Sequence, residues 1–213
     1  MIEDKFTPPS QALTRRLRSL IADLDQNSVV STAKQVCGWI RPSKDHDDRF
    51  RGLLRLAAEL VLGKAMERPD QDFHVLGRFC KIIDTTTDGE YSGFLNSLWE
   101  KEIQAAGVEL LANDKAEPGS WPECLALVVF AGRLYDDRLL EPDALRSCAR
   151  MLGGLRSNLG LELACTLLET TGSTLCEDPN GKTCFDTAIR TMLTTSREDG
   201  VYMHLRLRVQ ASL

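Results

Sequence analysis

Apolar residues recur along this chain at intervals of three and four. Leu13, Leu17, Leu20, Ile21 and Leu24 form one such run. Phe50, Leu53, Leu54, Ala57, Leu60 and Val61 form another within 48–66, and Leu161, Ala164, Cys165 and Leu168 a third. That spacing puts the apolar side chains on one face of an α-helix. Breakers separate the runs: Pro8-Pro9, Arg41-Pro42-Ser43, Pro69-Asp70, Thr87-Asp88-Gly89, Glu117-Pro118-Gly119, Glu141-Pro142, Gly153-Gly154 and Asp178-Pro179-Asn180-Gly181. Some of these breakers also start helices. Ser120-Trp121-Pro122-Glu123 and Thr195-Ser196-Arg197-Glu198 have the form of capping boxes. Glu141-Pro142 places proline in a first turn, where its missing N–H has no partner anyway. The pattern predicts about ten helices of roughly 12–20 residues joined by short links.

Helices of this length in sequence pairs suggest a stacked antiparallel array. One pair cannot bury its apolar face alone, so neighbours stack into a continuous core. No crisp self-similar repeat is visible. Degenerate helix-pair repeats of the HEAT kind fit the pattern, and so does an irregular bundle. One segment runs against the helical period: Val201-Tyr202-Met203-His204-Leu205-Arg206-Leu207-Arg208-Val209 alternates apolar and polar as a half-buried strand does. The capping form before it and the lack of a partner strand favour helix there too. The expected fold is all-α.

Composition narrows the function classes. A hydrophobic share of 43% in 213 residues is enough for a sizeable core and suggests one domain or two small ones. No apolar run is long enough to cross a membrane, and 1–5 place no apolar stretch behind a basic start, so a soluble intracellular protein is expected. The seven cysteines, Cys37, Cys80, Cys124, Cys148, Cys165, Cys176 and Cys184, are odd in number, and no two have Cys-x-x-Cys spacing. They read as reduced core thiols. His46, His74 and His204 are far apart in sequence and build no zinc pattern. A net charge of −5 disfavours a dominant nucleic-acid binder, because phosphate neutralisation supplies most non-specific affinity. Direct RNA contact is left to local patches: Arg15, Arg16 and Arg18, or Arg206 and Arg208.

Catalytic constellations are scarce. Asp45-His46-Asp47-Asp48 collects metal-friendly groups but reads as an acidic first turn complementing a helix dipole. Asp136 and Asp137 are adjacent, so on a helix they point about 100° apart instead of forming a facing carboxylate pair. His74 and Cys80 are six residues apart, which does not bring them to one helix face. There is no phosphate loop of the Gly-x-x-x-x-Gly-Lys type and no Gly-x-Gly-x-x-Gly. No catalytic residue, metal or cofactor is expected.

Several segments in order carry a family likeness. Leu60-Val61-Leu62-Gly63-Lys64-Ala65 leads to Pro69, and Val75-Leu76-Gly77-Arg78-Phe79-Cys80 follows. Phe94-Leu95-Asn96-Ser97-Leu98-Trp99-Glu100-Lys101-Glu102 comes next, then Phe130-Ala131-Gly132-Arg133-Leu134-Tyr135 through Leu140. The last is Leu161-Glu162-Leu163-Ala164-Cys165-Thr166-Leu167-Leu168-Glu169-Thr170-Thr171-Gly172. Over roughly residues 10–195 these segments resemble the middle domain of the eukaryotic translation initiation factor four-gamma scaffold. Two departures are visible: Glu100 stands where the family usually has glutamine, and the basic character of many relatives is missing.

The resemblance implies a HEAT-like array of about five antiparallel helix pairs over 10–213, preceded by an extension at 1–9. It implies a non-enzymatic, cytoplasmic scaffold of translation initiation and its regulation. Its partner would be a DEAD-box RNA helicase of the initiation factor four-alpha type, with other initiation factors also in reach. Arg133, Asp136, Asp137 and Arg138 would serve the docking, and so would Phe6 of Phe6-Thr7-Pro8, where the family typically has tryptophan. Phe6 reads equally well as a hydrophobic staple onto the first helix. The family also holds scaffolds of messenger decay, splicing and cap binding. A small helical enzyme is the alternative outside it.

Overall fold

A computed structural model describes residues 10–40, 47–67, 73–112, 122–155 and 157–177, with the single positions 190 and 194. Its helices are α1 (Gln11–Ala22), α2 (Val29–Ile40), α3 (Asp47–Glu67), α4 (Phe73–Thr86), α5 (Glu90–Ala112), α6 (Pro122–Asp136), α7 (Pro142–Gly154) and α8 (Asn158–Glu177). Among the described residues there is no strand, so the all-α expectation holds for them. The strand-like 201–209, the capping forms at 120–123 and 195–198, and the acidic 45–48 lie wholly or partly outside the described residues.

The chain forms two compact units, Met1–Leu98 and Trp99–Leu213, with the boundary inside α5. In the first unit α1 packs on α3, α2 on α4, and the neighbours α1–α2, α2–α3 and α3–α4 also touch. Its core takes Leu17, Ile21, Val36, Leu54, Val61, Leu76, Phe79 and Ile83 out of water. Burial of each such side chain contributes about 1.5–3 kcal/mol. In the second unit α6 and α7 both pack on α8, and α5 and α7 share the walls of a groove. Thus α1–α3, α2–α4 and α6–α8 each pack a helix on the next but one, while α5 and α7 meet through side chains along that groove.

Helix ends in the first unit are closed by side chains. Ser10 caps α1, its Oγ accepting the Leu13 N–H at 3.3 Å. The other end of α1 is closed from afar. Lys64 on α3 is only 9% exposed, and its Nζ donates to the carbonyls of Ile21 and Ala22 at 2.7 Å each and of Leu24 at 3.3 Å. These lie at the C-terminal end of α1, where carbonyls lack intrahelical partners and the dipole favours a cation. Between α1 and α2, the Asp25 carboxylate accepts the amides of Asn27 and Ser28, while Ser28 Oγ accepts the Asp25 amide. The bond to the Ser28 side chain, then its amide, lowers the Asp25 pKa.

The turn from α4 to α5 places Asp88 at φ 56° and Gly89 at φ 88°. Gly89 brings no capping side chain, so α4 supplies one. Asp84 Oδ1 accepts the Ser92 N–H at 2.8 Å, and Thr87 Oγ1 accepts that of Tyr91 at 3.3 Å. Beneath this turn the Tyr91 hydroxyl lies 3.8 Å from Cys80 Sγ. Complete burial, then the nearby thiol, raise the Tyr91 pKa well above its ordinary value.

Two close approaches organise the second unit. A Cβ built on Gly132 of α6 would lie 2.6 Å from Thr170 Cβ of α8, and 3.3 Å from the Thr170 carbonyl. Only a glycine lets these helices approach so closely. Trp99 is fully buried, and its Nε1 donates to the Leu127 carbonyl at 3.2 Å, which ties α5 to α6. α7 begins with Pro142 at its first turn and ends at Gly154, as the breakers predict.

Candidate functional site

The residues assigned to partner docking cluster where α6 ends, apart from Phe6, which lies outside the described residues. Arg133 and Asp137 are one helical turn apart, both half-buried, and they pair with each other. Nη2 donates to Oδ1 at 3.2 Å, and Nε approaches Oδ2 at 3.0 Å without hydrogen-bond alignment. Such an i,i+4 pair contributes about 0.3–0.5 kcal/mol. Arg133 and Asp137 therefore stand as a joined pair, beside the exposed Asp136 and Arg138.

Arg138 is the unusual member. Its φ is 58°, a conformation that suits glycine. The hydrogen bonds explain it: the Leu139 N–H reaches the Leu134 carbonyl at 2.8 Å, and the Arg138 N–H reaches that of Tyr135 at 2.9 Å. This is a Schellman closure, which requires a left-handed residue after the helix, and here the position is arginine. Leu134 and Leu139 are both buried beneath it. The closure thus holds the Arg138 side chain at the tip of the turn.

The candidate RNA residues Arg15, Arg16 and Arg18 are exposed on α1. The Arg16 guanidinium lies 5.1 Å from the centre of the Trp39 ring on α2. Sequence reasoning missed Trp39, because a contact 23 positions away, read as 39 minus 16, leaves no periodic signal.

A groove of about 190 Å³ runs between α5 and α7. Trp99, Ile103, Ala144 and Cys148 form its apolar floor, Glu100, Gln104 and Ser147 its polar rim, and Met151 one wall. The Met151 sulfur covers Gly107, at 2.9 Å from where a Cβ would stand. Burial raises the pKa of Cys148, so its thiol is protonated and poorly nucleophilic. Cys37, Cys80, Cys124 and Cys165 are likewise buried free thiols. Cys80 is buried whereas His74 on the same helix is exposed, so the two do not form a catalytic pair. Among the described residues no group of three His, Cys, Asp or Glu side chains gathers to hold a metal. No helix among them is long and apolar enough to cross a membrane.

In comparisons with known proteins, the chain matches no family model and no characterised relative.

Proposed function

We propose that this chain is a non-enzymatic scaffold module of translation initiation that docks and stimulates a DEAD-box RNA helicase of the initiation factor four-alpha type. The carrying observation is the role of the segments behind the sequence resemblance. Lys64 closes α1, Trp99 ties α5 to α6, and Gly132 and Thr170 form the close crossing of α6 and α8. Residues quoted for their likeness to one family thus sit at the joints of this fold. The helix-to-next-but-one packing supports a HEAT-like arrangement, since stacked helix pairs place first helix on first and second on second.

In this reading the module is cytoplasmic and needs no cofactor. It lacks a phosphate loop and acts by binding one helicase conformation better than another, which shifts that population. The tip formed by Arg133, Asp136, Asp137 and Arg138 is the docking point, joined by Phe6. A related scaffold role in messenger decay, splicing or cap binding is the second reading, because the same joints would serve it.

The test is steady-state ATP hydrolysis by the helicase with RNA, with and without this protein. Stimulation of about 5–150-fold matches a coupling of about 1–3 kcal/mol. A stable complex without stimulation would favour the second reading, and no complex with any DEAD-box helicase would remove the first.

A further inference from the structure

We propose that the exposed face of α1, together with Trp39 of α2, is a docking surface for a short acidic segment of a partner protein. The inference stands on charge and geometry in the first unit and is independent of the helicase reading.

The twelve-residue helices α1 and α2 touch each other and carry four cations, Arg15, Arg16, Arg18 and Lys34, with no carboxylate on either. All four cations are exposed. In a chain of net charge −5 this is a local reversal of sign. At 100° per residue, Arg15 stands opposite the buried Leu17 and Ile21, with Arg16 and Arg18 flanking it. Arg16 is held against Trp39, so its planar fork is partly ordered before any ligand arrives. Half-buried Trp39 adds an apolar edge beside the charges.

The surface is short. Asp23 and Asp25 follow the end of α1, and Asp25 is held in place by the Asn27 and Ser28 amides. These carboxylates end the favourable field after about three helical turns. Three carboxylates of a peptide match the three arginines of α1 and stop there. A polyphosphate would continue past them into the field of a net-acidic protein, and three cations neutralise too few phosphates to hold it. Charge complementarity therefore favours an acidic peptide over RNA.

Fluorescence anisotropy with a short labelled peptide bearing four glutamates and one aromatic residue tests this, beside the same peptide with glutamines and an oligouridylate RNA. The expected result is salt-sensitive binding of the glutamate peptide, weakened about tenfold or more by Arg15→Glu with Arg18→Glu. Arg15→Gln with Arg18→Gln gives a smaller loss, and Trp39→Ala a loss without any change of charge. Arg78→Glu with Arg150→Glu makes the same net charge change at exposed positions outside α1 and α2 and leaves binding unchanged. Circular dichroism checks that each variant folds. Three results overturn the proposal: no peptide binding, equal loss from the control pair, or tighter binding of the RNA than of the peptide.

Discussion

Replacing Gly132 with alanine places a methyl group where α8 already sits. The added carbon would stand 2.6 Å from Thr170 Cβ, 2.7 Å from its Oγ1 and 3.3 Å from its carbonyl oxygen. A rotamer change cannot relieve this, because Cβ and the carbonyl are fixed to the α8 backbone. The helices must separate, and overpacking of this kind costs about 1–3 kcal/mol. Against it stands the helix-propensity gain of alanine over glycine, about 1 kcal/mol. Strain wins because both ends of the contact are rigid, which puts the cost at the upper end of that range, about 2–3 kcal/mol; the net loss is about 1–2 kcal/mol, or a fall in Tm of roughly 2–8 °C. Urea melts would measure it, in a Trp39→Phe background so that tryptophan emission reports the second unit. Thr170→Gly should recover much of the loss, because it removes the opposing Cβ. Thr170→Ala should recover less, because that Cβ stays. A Gly132→Ala protein as stable as its parent, or equal recovery by both partners, would refute the reasoning.

Lys64→Met should destabilise the first unit by about 2–3 kcal/mol in urea melts, since it removes the ammonium donor from the carbonyls of Ala22 and Leu24 and leaves that of Ile21 with backbone donors such as the Leu24 N–H at 3.3 Å. Arg138→Gly should stabilise the fold by about 0.5–1 kcal/mol, by removing a side chain from a φ of 58°, while weakening helicase docking; calorimetry and the ATPase assay separate the two effects. Asp25 has a lowered folded pKa, so its contribution is complete above the unfolded value of 3.8 and lost as pH falls through the folded one. Asp25→Ala should therefore be less stable than the parent at neutral pH and approach it below pH 3.8, as urea midpoints against pH would show.

Much of the helical layout is legible in local pattern. The run from Phe50 to Val61 falls inside α3, Gly153-Gly154 closes α7, and Pro142 opens it, because periodicity, glycine and proline act within a few residues. The start of α5 is less legible. Its caps, Asp84 in the helix before it and Thr87 just after that helix, reach it only through the left-handed turn at Asp88 and Gly89. The candidate docking residues share this split. Their closeness along α6 is plain from numbering, whereas the pairing of Arg133 with Asp137 and the strained Arg138 needed the helix end to be seen.

The sequence by itself determined the class of secondary structure of the described residues, the burial of Cys37, Cys80, Cys124, Cys148 and Cys165, and the absence of a phosphate loop. These follow from residue type and short-range spacing, which need no knowledge of what lies across the core. Tertiary structure alone decided what the individual residues do. Lysine as a residue type is rarely buried, yet Lys64 is buried against carbonyls 40 to 43 residues away. Glycine weakens a helix by its intrinsic propensity, yet at position 132 it is the only residue type that fits against Thr170. Arg16 reads as a solvated charge, yet it stacks on Trp39. In each case the deciding energy is a contact between segments distant in sequence, set by how the helices pack and carried by no local pattern.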